Sequence, residues 1–197
     1  MISIIIPAHN EKNLNEFLKH LLKLKGEKEI IVEKNGTRAK NMNAGAKKAK
    51  GEILLFLHAD TILPNNALEQ INNTIKKHQV GAFSIAFHPS NIFLCIIAKT
   101  TSLRSRVNKI PYGDQAIFTT KKTFNTLNGF NELPFLEDVD FMKRARRIGK
   151  VKVLKEKVIT SPRGWEKDGM LKRTLKNRII MTLYTLGVKP EKLKKFY

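Results

Sequence analysis

Apolar positions along this chain follow two rhythms. Residues 2–6 are a compact β-branched run, interrupted only by Ser3 and closed by Pro7, the pattern of a buried strand. Leu14, Phe17, Leu18, Leu21 and Leu22 then recur at helical spacing behind a capping-box-like Asn13-Leu14-Asn15-Glu16, and Gly26 ends that helix. Residues 29–33 predict a second strand, and Asn35-Gly36 turns the chain. Ala39, Met42, Asn43, Ala46 and Ala49 mark one face of a small-residue helix that closes near Gly51. Residues 53–57 predict a third buried strand, and Asn65 or Asn66 caps a helix with Leu68, Ile71 and Ile75 on its apolar face.

In the second half, residues 80–87 predict a strand, 91–107 a helix and 115–119 a strand with a short helix after it. Val139, Met142, Ala145 and Ile148 give a helix stopped at Gly149. Residues 151–154 and 158–160 read as two short strands. A final helix carries Leu171, Leu175, Ile179, Leu183 and Leu186. Strands alternating with helices imply an α/β fold whose mostly parallel central sheet is covered by helices. In such sheets ligands bind at the strand carboxyl ends, and the polar residues of interest fall there.

Charge adds to this picture. The chain has 37 Lys or Arg against 17 Asp or Glu, a net of +20, which attracts nucleotides, polyanions and anionic membranes without choosing among them. From residue 150 to 197 there are 14 basic and 4 acidic residues, so half of the excess lies in the last quarter. That quarter holds only Trp165, Tyr184, Phe196 and Tyr197 as aromatics, so no nucleic acid is expected as partner. Cys95 is the single cysteine, which excludes an intrachain disulfide and a cysteine-based zinc site and fits a cytoplasmic location. No leader peptide is expected, and the apolar run 92–98 is too short to span a bilayer.

Six short constellations could carry chemistry. Pro7-Ala8-His9-Asn10-Glu11 follows the first strand. Arg38-Ala39-Lys40-Asn41-Met42-Asn43-Ala44-Gly45 joins positive charge and amides at a helix start, a place that suits a diphosphate. His58-Ala59-Asp60 ends the third strand. An acid there is costly unless solvated, paired or bound to a cation, and one carboxylate suffices for Mg²⁺ or Mn²⁺ when phosphates supply other ligands. Tyr112-Gly113-Asp114-Gln115 offers Asp114 either to a sugar hydroxyl or to a turn. Glu137-Asp138 opens a helix, where the dipole favours anions and one carboxylate can act as base. Ser161-Pro162-Arg163-Gly164-Trp165 pairs a phosphate-binding cation with a stacking ring. Each alone also reads as ordinary capping, turn or surface chemistry. GxxxxGK[ST] and GxGxxG loops are absent.

Taken in order, the segments SIIIPAHNE, RAKNMNAGAKKAKGEILLFLHADTILP, GAFSIAFH, PYGDQAIF, LPFLEDVDFMKRARRIG, TSPRGWEKDGM and LYTLGVKPEKLKKFY resemble the family 2 glycosyltransferases of GT-A fold. Within that family they look most like the small bacterial branch of radical-SAM/selenodomain-associated transferases. The resemblance implies sugar transfer from a nucleoside-diphosphate sugar, a UDP-sugar being the favoured donor, by a metal-assisted inverting mechanism. It implies Asp138 as base, with Glu137 second, and Asp60 as the acid holding a divalent cation, Mn²⁺ or Mg²⁺. Donor contacts are implied for Pro7, Ala8, Asn10, Glu11, Glu33, Arg38, Asn43, Gly45, His58, Asp114, Arg163 and Trp165. His58 stands where the motif's first acid belongs. The chain is also shortened after the second strand by a unit of about twenty residues, so that Glu33 stands in for the acid that meets the nucleoside.

The expected organisation is a single domain over 1–197. Residues 1–88 form a nucleotide-binding half, 89–160 an acceptor and catalytic half, and 161–197 a basic helical tail. The acceptor is unidentified, a lipid-linked one at the inner membrane being compatible with the tail. Two rivals are a nucleotidyltransferase, which would release pyrophosphate, and a non-catalytic module binding polyanions or a membrane surface.

Overall fold

A computed structural model describes residues 1–8 and 14–196. His9, Asn10, Glu11 and the proposed cap Asn13 therefore lie outside the described residues. In chain order the elements are β1 (Ile2–Pro7), α1 (Leu14–Lys23), β2 (Lys28–Glu33), α2 (Arg38–Lys48), β3 (Ile53–Phe56), β4 (Thr61–Ile62), α3 (Ala67–Ile75), β5 (Val80–Phe87) and α4 (Ile92–Asn108). They continue with β6 (Phe118–Thr120), α5 (Lys121–Thr126), α6 (Glu137–Ile148), β7 (Val151–Thr160), α7 (Arg163–Asp168), α8 (Met170–Thr185) and α9 (Pro190–Leu193).

The strands form one sheet in the order β2-β1-β3-β6-β5-β7-β4. Its longer ladders, β1 with β2, β1 with β3 and β5 with β7, are parallel. Short antiparallel ladders of β6 with β3 and β5, and of β4 with β7, join them, so the sheet is mixed. Residues 151–160 are one strand rather than two, because a register shift opposite Ala82–Ser84 absorbs the polar interruption.

The period-2 alternation of β1 sends Ile2, Ile4 and Ile6 to one face, against Phe17 and Leu21 of α1 and Leu68 and Ile71 of α3. Ile5 points the other way, into a cluster with Met42 of α2, Phe124 of α5 and Phe141 and Met142 of α6. A Cβ on Gly45 would stand 2.5 Å from Ile5 Cγ2, so a glycine is what lets α2 lie this close to β1. Phe56, Phe130 and Phe141 meet ring to ring, Phe130 lying 4.8 Å from Phe56 and 4.7 Å from Phe141. Each pair adds about 0.5–1.5 kcal/mol beyond its buried area, and together they seat α6 against the end of β3.

The sheet curls. Phe56 ends β3 and Thr61 begins β4, yet three strands lie between them in the sheet order. Crossing four strand spacings flat takes about 19 Å, close to the full reach of a five-step chain, about 18 Å. The connecting residues are instead turned, Thr61 N donating to His58 O at 3.1 Å. The β4 edge of the sheet therefore bends back toward the end of β3, and His58 and Asp60 lie in the turn that joins them.

Candidate active site

β3 and its turn deliver His58 and Asp60. The N-terminus of α2 delivers Arg38, behind Thr37, whose side chain caps the helix by accepting from Lys40 N at 3.3 Å. The N-terminus of α6 delivers Glu137 and Asp138, and a 3-10 turn over Gly113–Gln115 delivers Asp114. These residues come from four separate parts of the chain and converge.

Arg38 is the hub. Its Nε donates to Glu137 Oε1 in an ion pair, and its Nη1 lies 3.4 Å from His58 Nε2. Glu137 is 2% exposed, so this is a buried carboxylate with its counter-charge. A guanidinium can only donate, so the His58 nitrogen facing it is the unprotonated one. Burial first, then the Arg38 charge, push His58 down to about 4, against the opposing pull of Asp60 and Asp138. The imidazole is neutral at physiological pH.

Asp138 is buried and accepts two backbone N–H bonds, Oδ2 from Gly113 at 2.5 Å and Oδ1 from Val139 at 2.8 Å. Space around Gly113 is tight. A Cβ there would stand 3.0 Å from His58 Nε2 and 3.1 Å from Asp138 Oδ2. Asp114 lies beside them with an unpartnered buried Oδ1 among the described residues. Burial, then the Asp138 charge, push it up to about 6 from 3.8. Asp60 is 31% exposed, and its Oδ2 accepts from Arg163 Nη2 at 3.1 Å.

The raised Asp114 has a consequence for stability. The folded chain holds this proton more tightly than the unfolded chain, so stability falls as pH rises from about 4 to about 6 and levels off above. Asp114→Asn removes that loss. It is expected to be more stable than the parent at pH 7 by up to about 3 kcal/mol, less where solvent screens the carboxylate, and equal to it near pH 4. Urea unfolding at the two pH values checks this.

Other residues have different surroundings. Asn43 spends its amide on the Phe130 backbone, donating to the carbonyl at 2.8 Å and accepting from the N–H at 2.9 Å. Gly45 packs under β1. Glu33, at the end of β2, pairs with Lys48 Nζ at 2.6 Å. Pro7 and Ala8 are buried at the end of β1, Ala8 N donating to Glu33 O at 2.9 Å. Trp165 lies 4.9 Å from the Phe87 ring, in a small cluster with Leu94, Ala98 and Met170.

Two residues to which the sequence pattern assigns no role of their own contribute here. Arg104 of α4 lies over the Tyr112 ring at 3.5 Å and presents its charge to Asp114. Gln115 is wholly buried. Its Oε1 accepts from Ser105 Oγ at 2.7 Å and Tyr112 N at 3.2 Å, and its Nε2 donates to Phe83 O at 2.8 Å, pinning the turn that holds Asp114. A polar residue entering an otherwise apolar strand was the one signal for it.

Among the described residues no group of three or more His, Cys, Asp or Glu side chains is arranged to hold a metal. What the site does offer is a part-exposed carboxylate, Asp60, paired with the exposed Arg163. That donor set fits a hard cation that brings phosphate oxygens with it.

Residues 32–126 match the family model for glycosyl transferase family 2. No curated protein matches the chain. Among solved structures, residues 1–349 of TarS from S. aureus align with a TM-score of 0.66 at 20% identity, covering 81% of this chain and 60% of that one. Its complex with UDP-GlcNAc aligns at 0.64 and 19% identity, covering 81% and 58%. A mannosyltransferase of Pyrobaculum calidifontis, PcManGT, in complex with GDP-Man and Mn²⁺, aligns at 0.69 and 16% identity, covering 99% and 67%. The chain thus spans about 60% of the TarS segment it matches. The curled mixed sheet with helices on both faces is the GT-A fold, and residues 32–126 within it carry the match to glycosyl transferase family 2.

Proposed function

We propose that the chain transfers a sugar from a nucleoside-diphosphate sugar, with a UDP-sugar favoured, to an acceptor hydroxyl with inversion. The observation that carries this is the meeting of Arg38, Asp60, Asp114, Glu137 and Asp138 at one end of β3. TarS holds UDP-GlcNAc and PcManGT holds GDP-Man with Mn²⁺ on the same fold, which supports a diphosphate donor and a divalent ion.

Residues 1–88 serve the donor, 89–160 the acceptor and the chemistry, and 161–197 form the basic tail. Arg38 and Arg163 present fixed positive charge to the diphosphate. Arg163 is exposed, so its pair with Asp60 is weak and exchangeable. Asp60 would hold Mn²⁺ or Mg²⁺, which when bound offsets charge on the departing diphosphate. Neutral His58 adds no charge of its own and keeps Arg38 in place. Asp138 takes the proton of the acceptor hydroxyl as its oxygen attacks the anomeric carbon and the bond to the diphosphate breaks. Asp114 orients that hydroxyl. Glu33, exchanging Lys48 for the nucleoside, reads the donor's far end. The single cysteine and the basic surface support work at the cytoplasmic face of a membrane.

Thermal shift with UDP, GDP and their sugars, with and without Mn²⁺, tests the reading. A stabilisation by one nucleoside diphosphate that grows with Mn²⁺ is expected. Absence of any shift overturns it, and pyrophosphate release from a nucleoside triphosphate would move the chain to nucleotidyl transfer.

A further inference from the structure

The helical spacing in α8 marks an apolar face, yet that face points outward. Leu171, Leu175, Ile179 and Leu186 are each at least half exposed. Steps of four and seven return to one side of a helix, so they form a single stripe. α4 repeats the arrangement with Ile92, Ile96, Leu103 and Val107, with Phe93 alongside, each more than half exposed. Its opposite side, Leu94, Ala98 and Ser105, is the one that packs.

The two helices are neighbours running the same way. Near their starts Asn91 Nδ2 approaches Met170 Sδ at 3.8 Å. Near their ends Arg104 and Asn108 face Met181, Thr185 and Leu186 across a cavity of about 320 Å³. Leu186 belongs both to the α8 stripe and to the cavity wall, and Tyr112, beside Asp114, is on that wall too.

The charge pattern names the occupant. Neither α4 nor α8 contains an Asp or Glu; Arg104, Arg106 and Arg173 are engaged by Tyr112, Ser84 and Asp168, while Lys99 on α4 and Lys172 and Arg178 on α8 are exposed. Exposed aliphatic stripes on wholly basic helices suit the interface of an anionic bilayer. A second copy would bring basic helices against basic helices within a chain of net charge +20. Among the described residues no helix is long and apolar enough to cross a membrane, so the stripes lie along its surface.

We propose that α4 and α8 together form a docking platform for an anionic lipid bilayer, with the cavity at Tyr112 opening toward that surface. The acceptor is then a lipid-borne hydroxyl compound. This second step rests on the transferase reading, whereas the docking does not.

Co-sedimentation of the full chain with vesicles tests it. Binding to phosphatidylcholine vesicles containing phosphatidylglycerol is expected, with little binding to pure phosphatidylcholine and a loss on raising salt. The double variant Leu103→Glu/Leu175→Glu should bind at least about tenfold more weakly, while Leu22→Glu, exposed on α1, binds as the parent does. Equal binding by the double variant, or no binding by the parent, overturns the platform. A parent dimer in sedimentation velocity that the double variant makes monomeric assigns the face to a second copy and also overturns it. Nucleotide thermal shifts of the double variant in the absence of vesicles report the donor site separately, so a failed platform and a failed transferase reading give different results.

Discussion

Asp138→Asn is expected to lower sugar transfer by about 10²–10⁴-fold while donor binding stays as it was. The side chain sits at the start of α6 and accepts from Gly113 N and Val139 N. Asparagine fills the same volume and keeps one acceptor oxygen, so the turn at Gly113 is retained. It has no basic oxygen to receive a proton. The loss should appear in kcat for nucleoside diphosphate release, with the nucleotide dissociation constant from thermal shift unchanged. Parent-like turnover would remove Asp138 from the role of base and leave Asp114 as the next carboxylate to examine.

Arg38→Leu is expected to cost about 3–5 kcal/mol at neutral pH, because it leaves the Glu137 carboxylate buried without its counter-charge. Arg38 is itself 38% exposed, so the penalty falls on the acid that stays behind. Arg38→Leu combined with Glu137→Leu should recover part of the loss, and a double-mutant cycle by urea unfolding reads the coupling. The same single change removes one of the two influences that lower His58. Its titration should move upward toward the ordinary range in an NMR experiment, with burial still holding it below.

Much of the fold was legible in short stretches. β1, β2, β3 and β5 are compact apolar runs, α1, α2 and α6 end within three residues of Gly26, Gly51 and Gly149, and α4 covers Ile92–Asn108 against the expected 91–107. Other features were not legible, each for a physical reason. β4 is two residues long and exists only because β7 lies beside it. The strand expected from residue 115 begins at Phe118, because the Gln115 side chain bonds to Tyr112 N and Phe83 O and draws 113–115 into a 3-10 turn. The apolar stripe of α8 was read correctly as a stripe but not as to what it meets, since spacing says which residues share a side and nothing about core or lipid.

The site divides in the same way. Asp60, Asp138 and Arg38 were visible as charged residues at element ends, where the sheet edge gathers ligands. Their mutual arrangement was not, for Arg38 and Glu137 are 99 residues apart in sequence. Asn43 looked like a phosphate-facing amide because of its place near a helix start. In the fold it ties that helix to Phe130, across 87 residues, which no local pattern announces. Arg104 was one of three cations on α4 and becomes meaningful only when the Tyr112 ring lies beneath it.

The position of β6 has a bearing on how the chain comes together in time. This three-residue strand is the middle member of the seven, with β3 on one side and β5 on the other. Residues up to Thr120 must therefore have left the ribosome before the central seam can close, and β7 follows later still. Until then β3 and β5 each present an open edge rich in apolar residues, a template for pairing with other nascent chains. Cutting the gene between residues 88 and 89 would yield two fragments with complementary raw edges rather than a donor-binding module and a catalytic one. Mixed together, those fragments should find each other through that seam.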